Sequence, residues 1–227
     1  PHTLKKRGFF LSNVINTIPA LLTAVAKKFA VKPAMLLKNG NKISYDDMMW
    51  DVSLTCRALK EQGITKSSKV ALFMDNSPQC VESFLAITKM GAVAILVSYD
   101  FSENQIKEIL EQEKPDAIFI SDYKLSSVLG AQNTTILAID DNRVLKQVSR
   151  QVKNSITQVS EKDNAVIMFD TTENGGLTKQ VLTQKAFVEM TSQVKKSFVT
   201  ESVNSIIDCV KDFIAPIFKG FAVCTTN

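Results

Sequence analysis

Short apolar segments alternate with longer amphipathic segments along most of this chain. The apolar segments are KVALFM, AVAILV, DAIFIS, TTILAI and NAVIMF, which begin at residues 69, 92, 116, 134 and 164. Segments that are apolar on both sides are typical of strands in a parallel sheet whose two faces are covered. The pattern therefore predicts an α/β fold with mostly parallel sheets flanked by helices.

Helix start and stop signals lie between the predicted strands. Serine at the N-cap, with glycine or proline at the end, marks three helices, bounded by Ser44 and Gly63, Ser77 and Gly91, and Ser102 and Pro115. A fourth amphipathic helix is predicted over residues 183–198, directly after the last apolar strand and its turn. These helices supply the covering layers that the parallel sheet requires.

The first 45 residues predict two further elements. Ile15, Ile18, Leu22, Val25 and Phe29 follow helical spacing, which favours an amphipathic surface helix over the alternative of a signal peptide. Residues 33–45 predict a β-hairpin that turns at Asn39-Gly40. No uninterrupted apolar segment approaches the ~20 residues of a transmembrane helix.

Composition excludes several kinds of function. A formal charge of +4 is too small to predict nucleic-acid binding. The four cysteines include no CxxC pair, which favours a reducing cytoplasm over a zinc site or a disulfide framework. His2 is the only histidine, so chemistry that needs an internal histidine base is excluded, and we predict no metal site. The sequence leaves open whether copies of the chain form a homo-oligomer.

A segment rich in threonine, asparagine and glycine follows the strand NAVIMF. It reads DTTENGGLTK, residues 170–179. Hydroxyls, backbone N–H groups freed by glycine, and a lysine are the groups that hold phosphates. In a parallel sheet, ligands bind beyond the carboxyl ends of the strands, which is where this segment is predicted to lie. The alternative is a surface turn, because the same residues are typical of turns.

Motifs upstream of this segment resemble the AMP-binding, or adenylate-forming, superfamily, and within it the acyl-CoA synthetases. They are Ser44-Tyr45-Asp46-Asp47, Ala58-Leu59 with Gly63, Lys69-Val70-Ala71-Leu72, Asn76-Ser77-Pro78-Gln79 and Ala86 to Val93. The resemblance covers residues 30–121 and implies the fold of the large N-terminal domain of those enzymes. It makes residues 1–227 part of that domain, with a polar connector at about 141–163, a phosphate-loop region at 164–199 and the C-terminal domain absent.

The resemblance also assigns the candidate binding residues. The phosphate loop of the superfamily reads approximately T-S-G-[ST]-T-G-x-P-K-G. Aligned on the lysine, it implies that the nucleotide is bound by Thr171, Thr172, Asn174, Gly175, Gly176 and Lys179. Glu173 and Gln180 depart from that pattern, because each replaces a glycine. Lys219, in APIFK, is similarly placed to the histidine of an L-P-x-F-H segment; the alternative is an exposed lysine at a strand end.

The activity that the resemblance implies is an AMP-forming acid–thiol ligase. Such an enzyme activates a fatty acid or another carboxylic acid with ATP and Mg²⁺ to an acyl-adenylate, then transfers the acyl group to coenzyme A. No catalytic residue is assigned within residues 1–227, so we expect this chain not to be competent alone. The alternative is a non-catalytic binding or scaffolding module. A Rossmann-type binder is disfavoured, because Asp75 to Pro78, the first turn after a parallel strand, contains no glycine.

Overall fold

A computed structural model describes residues 15–74, 77–120, 135–138, 158–193, 210 and 214–225. The strands within these residues are β1 (Pro33–Leu36), β2 (Lys42–Ser44), β3 (Lys69–Met74), β4 (Val93–Ser98), β5 (Ala117–Ile120), β6 (Thr135–Ala138), β7 (Asn164–Thr171), β8 (Leu177–Thr183) and β9 (Val223–Cys224). The helices are α1 (Ile18–Phe29), α2 (Tyr45–Glu61), α3 (Pro78–Lys89), α4 (Glu103–Glu113), α5 (Gln184–Gln193) and a 3₁₀ helix (Ala215–Lys219).

Six strands form the larger sheet, in the order β6-β5-β3-β4-β7-β8. The strands from β6 to β7 are parallel, and β8 pairs antiparallel with β7 at the edge. This architecture confirms the predicted α/β fold with a mostly parallel sheet. Each of the five apolar segments contributes a strand to it, as the absence of a polar face in those segments predicts.

Helices cover both faces of this sheet. In β3, Val70 and Leu72 face the larger core cluster, which includes residues of α1, α2, α3 and α5. The alternate residues Ala71 and Phe73 face the smaller cluster, which includes Ile106, Ile109 and Leu110 of α4. Successive residues of a strand point to opposite faces, so one apolar strand supplies both cores.

The predicted helix boundaries are confirmed for α2, α3 and α4. The Ser44 and Ser77 hydroxyls accept hydrogen bonds from the N–H groups of Asp47 and Cys80. Ser102 caps α4 in a reciprocal capping box with Gln105. These side chains satisfy N–H groups that have no partner inside the helix, which fixes where each helix begins.

A smaller sheet in the order β2-β1-β9 packs beside these layers. The predicted hairpin forms its first two strands, and Gly40 adopts a φ of +84° in the turn. The Tyr45 hydroxyl donates a hydrogen bond to the Ile217 carbonyl at 2.7 Å, linking α2 to the 3₁₀ helix. Burial raises the pKa of Tyr45. The phenol therefore stays protonated and keeps this hydrogen bond.

The structure corrects one local expectation. Residues 177–183, which the sequence predicts to be loop and helix start, form the edge strand β8, and the helix begins at Gln184. Lys219, for which a strand end is the alternative interpretation, ends a 3₁₀ helix. The predicted helix residues 194–198 and the predicted connector residues 141–157 lie outside the described residues. The division of residues 1–227 into domain regions stays a prediction.

Candidate functional site

β7 leads the chain from the core to a surface turn at residues 172–176. Ala165 to Phe169 are buried, whereas Thr171 and the turn are exposed. β8 then returns antiparallel to β7, with Thr171 opposite Leu177. Because β7 is parallel to β4, the turn lies at the carboxyl ends of the parallel strands, the edge at which α/β proteins bind ligands.

Hydrogen bonds within the turn hold it closed. The Thr172 N–H donates to the Gly176 carbonyl at 2.8 Å, and the Gly175 N–H donates to the Thr172 carbonyl at 2.8 Å. The Thr172 hydroxyl also donates to the Gly176 carbonyl, at 3.2 Å. Gly175 has a φ of +78°, and a Cβ at Gly176 would lie 3.2 Å from the Thr172 hydroxyl oxygen. Glycine at both positions is therefore favoured by the turn itself.

Glu173 and Asn174 form the exposed tip of the turn. Among the described residues, their backbone N–H groups have no hydrogen-bond acceptor. Adjacent free N–H groups in a turn suit an anion. The Glu173 carboxylate at the same tip opposes one, so the turn combines a geometry that attracts phosphate with a charge that repels it.

Gln105 connects the turn to the first turn of α4. Its Nε2 donates to the Gly175 carbonyl at 3.1 Å. Its Oε1 accepts from the Ser102 N–H at 2.9 Å, as part of the capping box. The same side chain therefore fixes the start of α4 and the position of the turn. No sequence motif indicated this residue, because the contact joins segments 70 residues apart.

Lys179 lies in β8 rather than in the turn. It pairs with Phe169, and its Nζ lies 2.5 Å from Glu113 Oε1 at the last residue of α4. Gln105, which contacts the turn, lies eight residues earlier in α4, or ~12 Å along the helix axis at 1.5 Å per residue. The structure thus brings together Thr171, Thr172, Asn174, Gly175 and Gly176, and it holds the Lys179 ammonium apart from them.

The Glu113 carboxylate also contacts Lys69. Lys69 Nζ lies 3.0 Å from Glu113 Oε2 and 3.1 Å from the Glu113 carbonyl. Burial raises the pKa of Glu113, but the hydrogen bonds from Lys179 and Lys69 outweigh burial and leave it below its ordinary value. Glu113 therefore stays ionised at neutral pH and keeps both ammonium groups beside it.

Glu113 was missed by motif analysis, although the sequence carries a signal for it. Ile106, Ile109, Leu110 and Glu113 follow the i, i+3, i+4, i+7 spacing of the buried face of α4. A glutamate at such a position is buried only with a partner, and lysines are the cations available in this region. The two lysines are distant from Glu113 in sequence, so the pattern indicates that Glu113 has a cationic partner but does not identify it.

Lys219 does not face the turn. Its Nζ donates to the Ser192 carbonyl at 2.9 Å, in the last turn of α5. A cation there complements the unpaired carbonyls and the negative end of the helix dipole. The neighbouring Phe218 ring packs edge-on against Phe187, with centroids 5.6 Å apart. The surroundings of Lys219 thus indicate a helix cap.

The described residues also bear on metal and membrane binding. Among the described residues, no group of three or more His, Cys, Asp or Glu side chains is placed to hold a metal ion. Mg²⁺ bound with a nucleotide takes much of its coordination from phosphates and water and needs few protein carboxylates. In the described part of the chain, no helix is long and apolar enough to cross a bilayer.

The parallel sheet and the turn at its carboxyl edge define an α/β protein of the class that binds ligands beyond its strand ends. The sequence profile of the AMP-binding enzyme family matches residues 22–193. The chain belongs to that family, which confirms the resemblance to adenylate-forming enzymes. The match includes every motif quoted above for residues 30–121, together with the turn.

Curated proteins similar to this chain include a coenzyme A ligase and a coenzyme A synthetase. The chain is 24% identical over 161 residues to a long-chain-fatty-acid–CoA ligase of Bacillus subtilis (strain 168), covering 70% of this chain and 28% of the ligase. It is 32% identical over 83 residues to an acetyl-coenzyme A synthetase of Penicillium chrysogenum, covering 37% of this chain and 12% of the synthetase. The chain thus spans less than a third of the length of these relatives.

Solved structures share the fold. The N-terminal subdomain of NpsA from Klebsiella oxytoca superposes with a TM-score of 0.75 at 16% identity, covering 92% of this chain and 54% of that chain. VinN in complex with L-aspartate gives a TM-score of 0.78 at 15% identity, covering 93% and 57%. At this identity the superpositions show the fold alone.

Proposed function

We propose that this chain is the N-terminal part of an AMP-forming ligase that activates a carboxylic acid with ATP. The observation that carries the proposal is the turn Thr172–Gly176, closed by its own hydrogen bonds at the carboxyl edge of the sheet, within the segment that matches the AMP-binding family. In this proposal, the exposed N–H groups at the tip of the turn bind the β- and γ-phosphates of ATP.

The proposed reaction proceeds in two steps. A carboxylate oxygen of the acid attacks the α-phosphorus of ATP, and the bond to the bridging oxygen of the β-phosphate breaks, releasing pyrophosphate and an acyl-adenylate. The thiolate of coenzyme A then attacks the acyl carbon, AMP leaves, and a thioester forms. Mg²⁺ bound with ATP would neutralise phosphate charge. The contribution of this chain is to position the leaving phosphates, which accelerates a step that needs no proton-transfer base.

The substrate that we propose is a fatty acid or another small carboxylic acid. The relatives named above are ligases of acetate and of long-chain fatty acids, and VinN was solved with L-aspartate. Their common feature is the carboxylate that is activated, so that group is the one to which this chain is assigned. Coenzyme A is proposed as the acyl acceptor on the same basis.

Calorimetry with ATP–Mg²⁺ tests nucleotide binding by the chain. We expect weak binding in the millimolar range, because Glu173 repels the phosphates and Glu113 competes for Lys179. The control is Gly176→Val, because the valine side chain would meet the Thr172 hydroxyl and distort the turn. Absence of heat and of any thermal shift in the wild-type chain at millimolar ATP–Mg²⁺ would refute nucleotide binding.

A second candidate function is a non-catalytic binding or scaffolding module. Three features favour it: the Glu173 carboxylate at the tip, the hydrogen bond of the Thr172 hydroxyl to Gly176, and the ion pair of Lys179 with Glu113. Because Glu173 is exposed, its carboxylate repels a phosphate oxygen ~4 Å away by ~1 kcal/mol, the value in water. This candidate predicts that Lys179→Ala changes no activity of the protein. Acyl-adenylate formation by the chain, detected as pyrophosphate exchange into ATP, would exclude it.

A further inference from the structure

The buried carboxylate of Glu113 lies between two lysines of the larger sheet. The Glu113 side chain is 1% exposed, whereas Lys69 and Lys179 are 39% and 34% exposed. Lys69 lies at the start of β3, and Lys179 lies in the edge strand β8. Two ammonium groups share one carboxylate, so the cluster of Glu113, Lys69 and Lys179 carries a net positive charge. One of its two lysines can leave, and the carboxylate still has a cation beside it.

The Lys179 ammonium can reach a second location, at the carboxyl end of β7. Lys179 pairs with Phe169, and Thr171 pairs with Leu177 two residues closer to the turn. Thr171 and Lys179 are therefore diagonal neighbours on the face of the sheet that α4 covers. Diagonal residues of an antiparallel pair lie ~7–8 Å apart, a distance that a long side chain spans. The ammonium can thus point either to Glu113 or to the carboxyl end of β7.

Lys69 lowers the free-energy cost of moving the Lys179 ammonium away from Glu113. A buried carboxylate that loses its partner is strongly destabilising. When Lys179 leaves, Lys69 remains 3.0 Å from Glu113 Oε2 and also donates to the Glu113 carbonyl. The Lys69 ammonium thus has two partners on Glu113, whereas, among the described residues, the Lys179 ammonium contacts only the Glu113 carboxylate. Lys69 is therefore the lysine that stays.

We propose that Glu113 is a positioning residue that holds Lys179 away from the turn until a polyphosphate occupies it. Lys179 then moves beside Thr171 and contacts the phosphates, while Lys69 remains on Glu113. This inference rests on the proposed function, because it requires the turn to bind phosphate. It adds that the affinity of the turn is set by competition for one ammonium group.

Tripolyphosphate binding to the full 227-residue chain, measured by calorimetry, tests the competition. Glu113→Gln frees Lys179, and we expect binding about fivefold tighter, the size of a partly exposed ion pair. Lys69→Gln leaves Lys179 as the only cation on Glu113, and we expect binding about fivefold weaker. Both variants are expected to lower the midpoint of thermal unfolding, so for Glu113→Gln affinity and stability change in opposite directions.

Two exposed residues of α4 supply controls of matched charge. Glu111→Gln and Lys107→Gln change the net charge by the same amounts without touching the cluster. We expect both to bind within twofold of wild type. If they shift as far as Glu113→Gln and Lys69→Gln do, overall charge rather than competition explains the result, and the inference is overturned.

The remaining outcomes separate the inference from the proposed function. If wild type binds tripolyphosphate but Glu113→Gln binds no tighter, the inference fails and the proposed function stands. If neither wild type nor any variant binds at millimolar concentration, the proposed function fails and the inference fails with it. If Glu113→Gln does not fold, Lys69→Gln becomes the decisive variant. Tripolyphosphate binding by Lys69→Gln that is as tight as binding by wild type then overturns the inference.

Discussion

Glu173 is the residue whose charge most directly opposes the proposed role of the turn. Its carboxylate lies at the exposed tip, next to the N–H groups proposed to bind phosphate. We expect Glu173→Gln, which keeps the size of the side chain and removes its charge, to tighten tripolyphosphate binding by about fivefold to tenfold. The expected size follows from ~1 kcal/mol of repulsion between unit charges ~4 Å apart in water. Calorimetry on the full chain measures it.

The matched control for this prediction is Glu189→Gln. Glu189 is exposed on α5, so its substitution removes the same charge away from the turn. Equal tightening in both variants would show that only net charge changed. No tightening in Glu173→Gln would place the phosphates elsewhere than at the tip.

Gly220 is a residue at which the fold requires glycine for two separate reasons. Its φ is +79°, and an added Cβ would lie 2.1 Å from the Phe29 ring. We expect Gly220→Ala to lower the free energy of unfolding by about 3 kcal/mol, the sum of left-handed strain and overpacking. Urea unfolding measures the change.

The same substitution at Gly63 separates the backbone strain from the overpacking. Gly63 has a φ of +81°, but nothing lies within 4 Å of an added Cβ. We therefore expect Gly63→Ala to cost only the strain, about 1 kcal/mol. Equal costs for the two variants would contradict the close approach of Gly220 to Phe29.

Helices α2 and α3 pack against each other with acidic residues in their contact. Glu82 of α3 is 7% exposed, and burial together with the Asp51 carboxylate of α2 raises its pKa to about 8. Burial and the neighbouring Asp47 also raise the pKa of Asp51. Between the ordinary pKa of a glutamate and about 8, the native state binds more protons at Glu82 than the unfolded state does. Stability therefore falls as pH rises through that range.

The prediction for this contact is a change in the pH dependence of stability. We expect Glu82→Gln to remove a loss of a few kcal/mol between pH 5 and pH 8, which urea unfolding at several pH values measures. Glu111→Gln, on the exposed face of α4, is expected to keep the wild-type profile. A Glu82→Gln variant that retains the wild-type slope would show that Glu82 is already ionised in the folded protein.

Elements with local signals were predictable, whereas the edge strand was not. α2, α3 and α4 begin at serines whose hydroxyls cap them, and that signal is contained within four residues. β8 is largely exposed and polar, so its residues show no buried face, and their likeness to a phosphate loop led to the prediction of a loop. The strand exists because β7 offers it a partner, which is information that a local pattern lacks.

The candidate site likewise contains residues that a local signal predicts and a residue whose placement depends on a distant partner. Thr171 to Gly176 were located by their position after an apolar strand, and the structure keeps them together at the end of β7. The placement of Lys179 depends on Glu113, which lies 66 positions earlier in the chain. An ion pair of that separation leaves no periodic trace, so the sequence did not predict the contact of Lys179 with Glu113. The assignment of Lys179 to the nucleotide stays a prediction.

The two sheets and their helices form the scaffold that carries the turn. The family match over residues 22–193 and the superpositions on NpsA and VinN agree on that scaffold. Within that scaffold, the edge strand, Gln105 and Glu113 contact the turn or Lys179. We therefore propose that one local feature, the tip of the turn, binds the phosphates of ATP.

Amide chemical shifts of the ¹⁵N-labelled chain during titration with ATP–Mg²⁺ test this claim most directly. We expect the largest shift changes at the amides of Glu173 and Asn174, and smaller changes at Thr172 and Gly175, whose N–H groups already donate hydrogen bonds within the turn. Absence of shift changes at millimolar ATP–Mg²⁺, or changes centred on amides remote from residues 172–176, would contradict it.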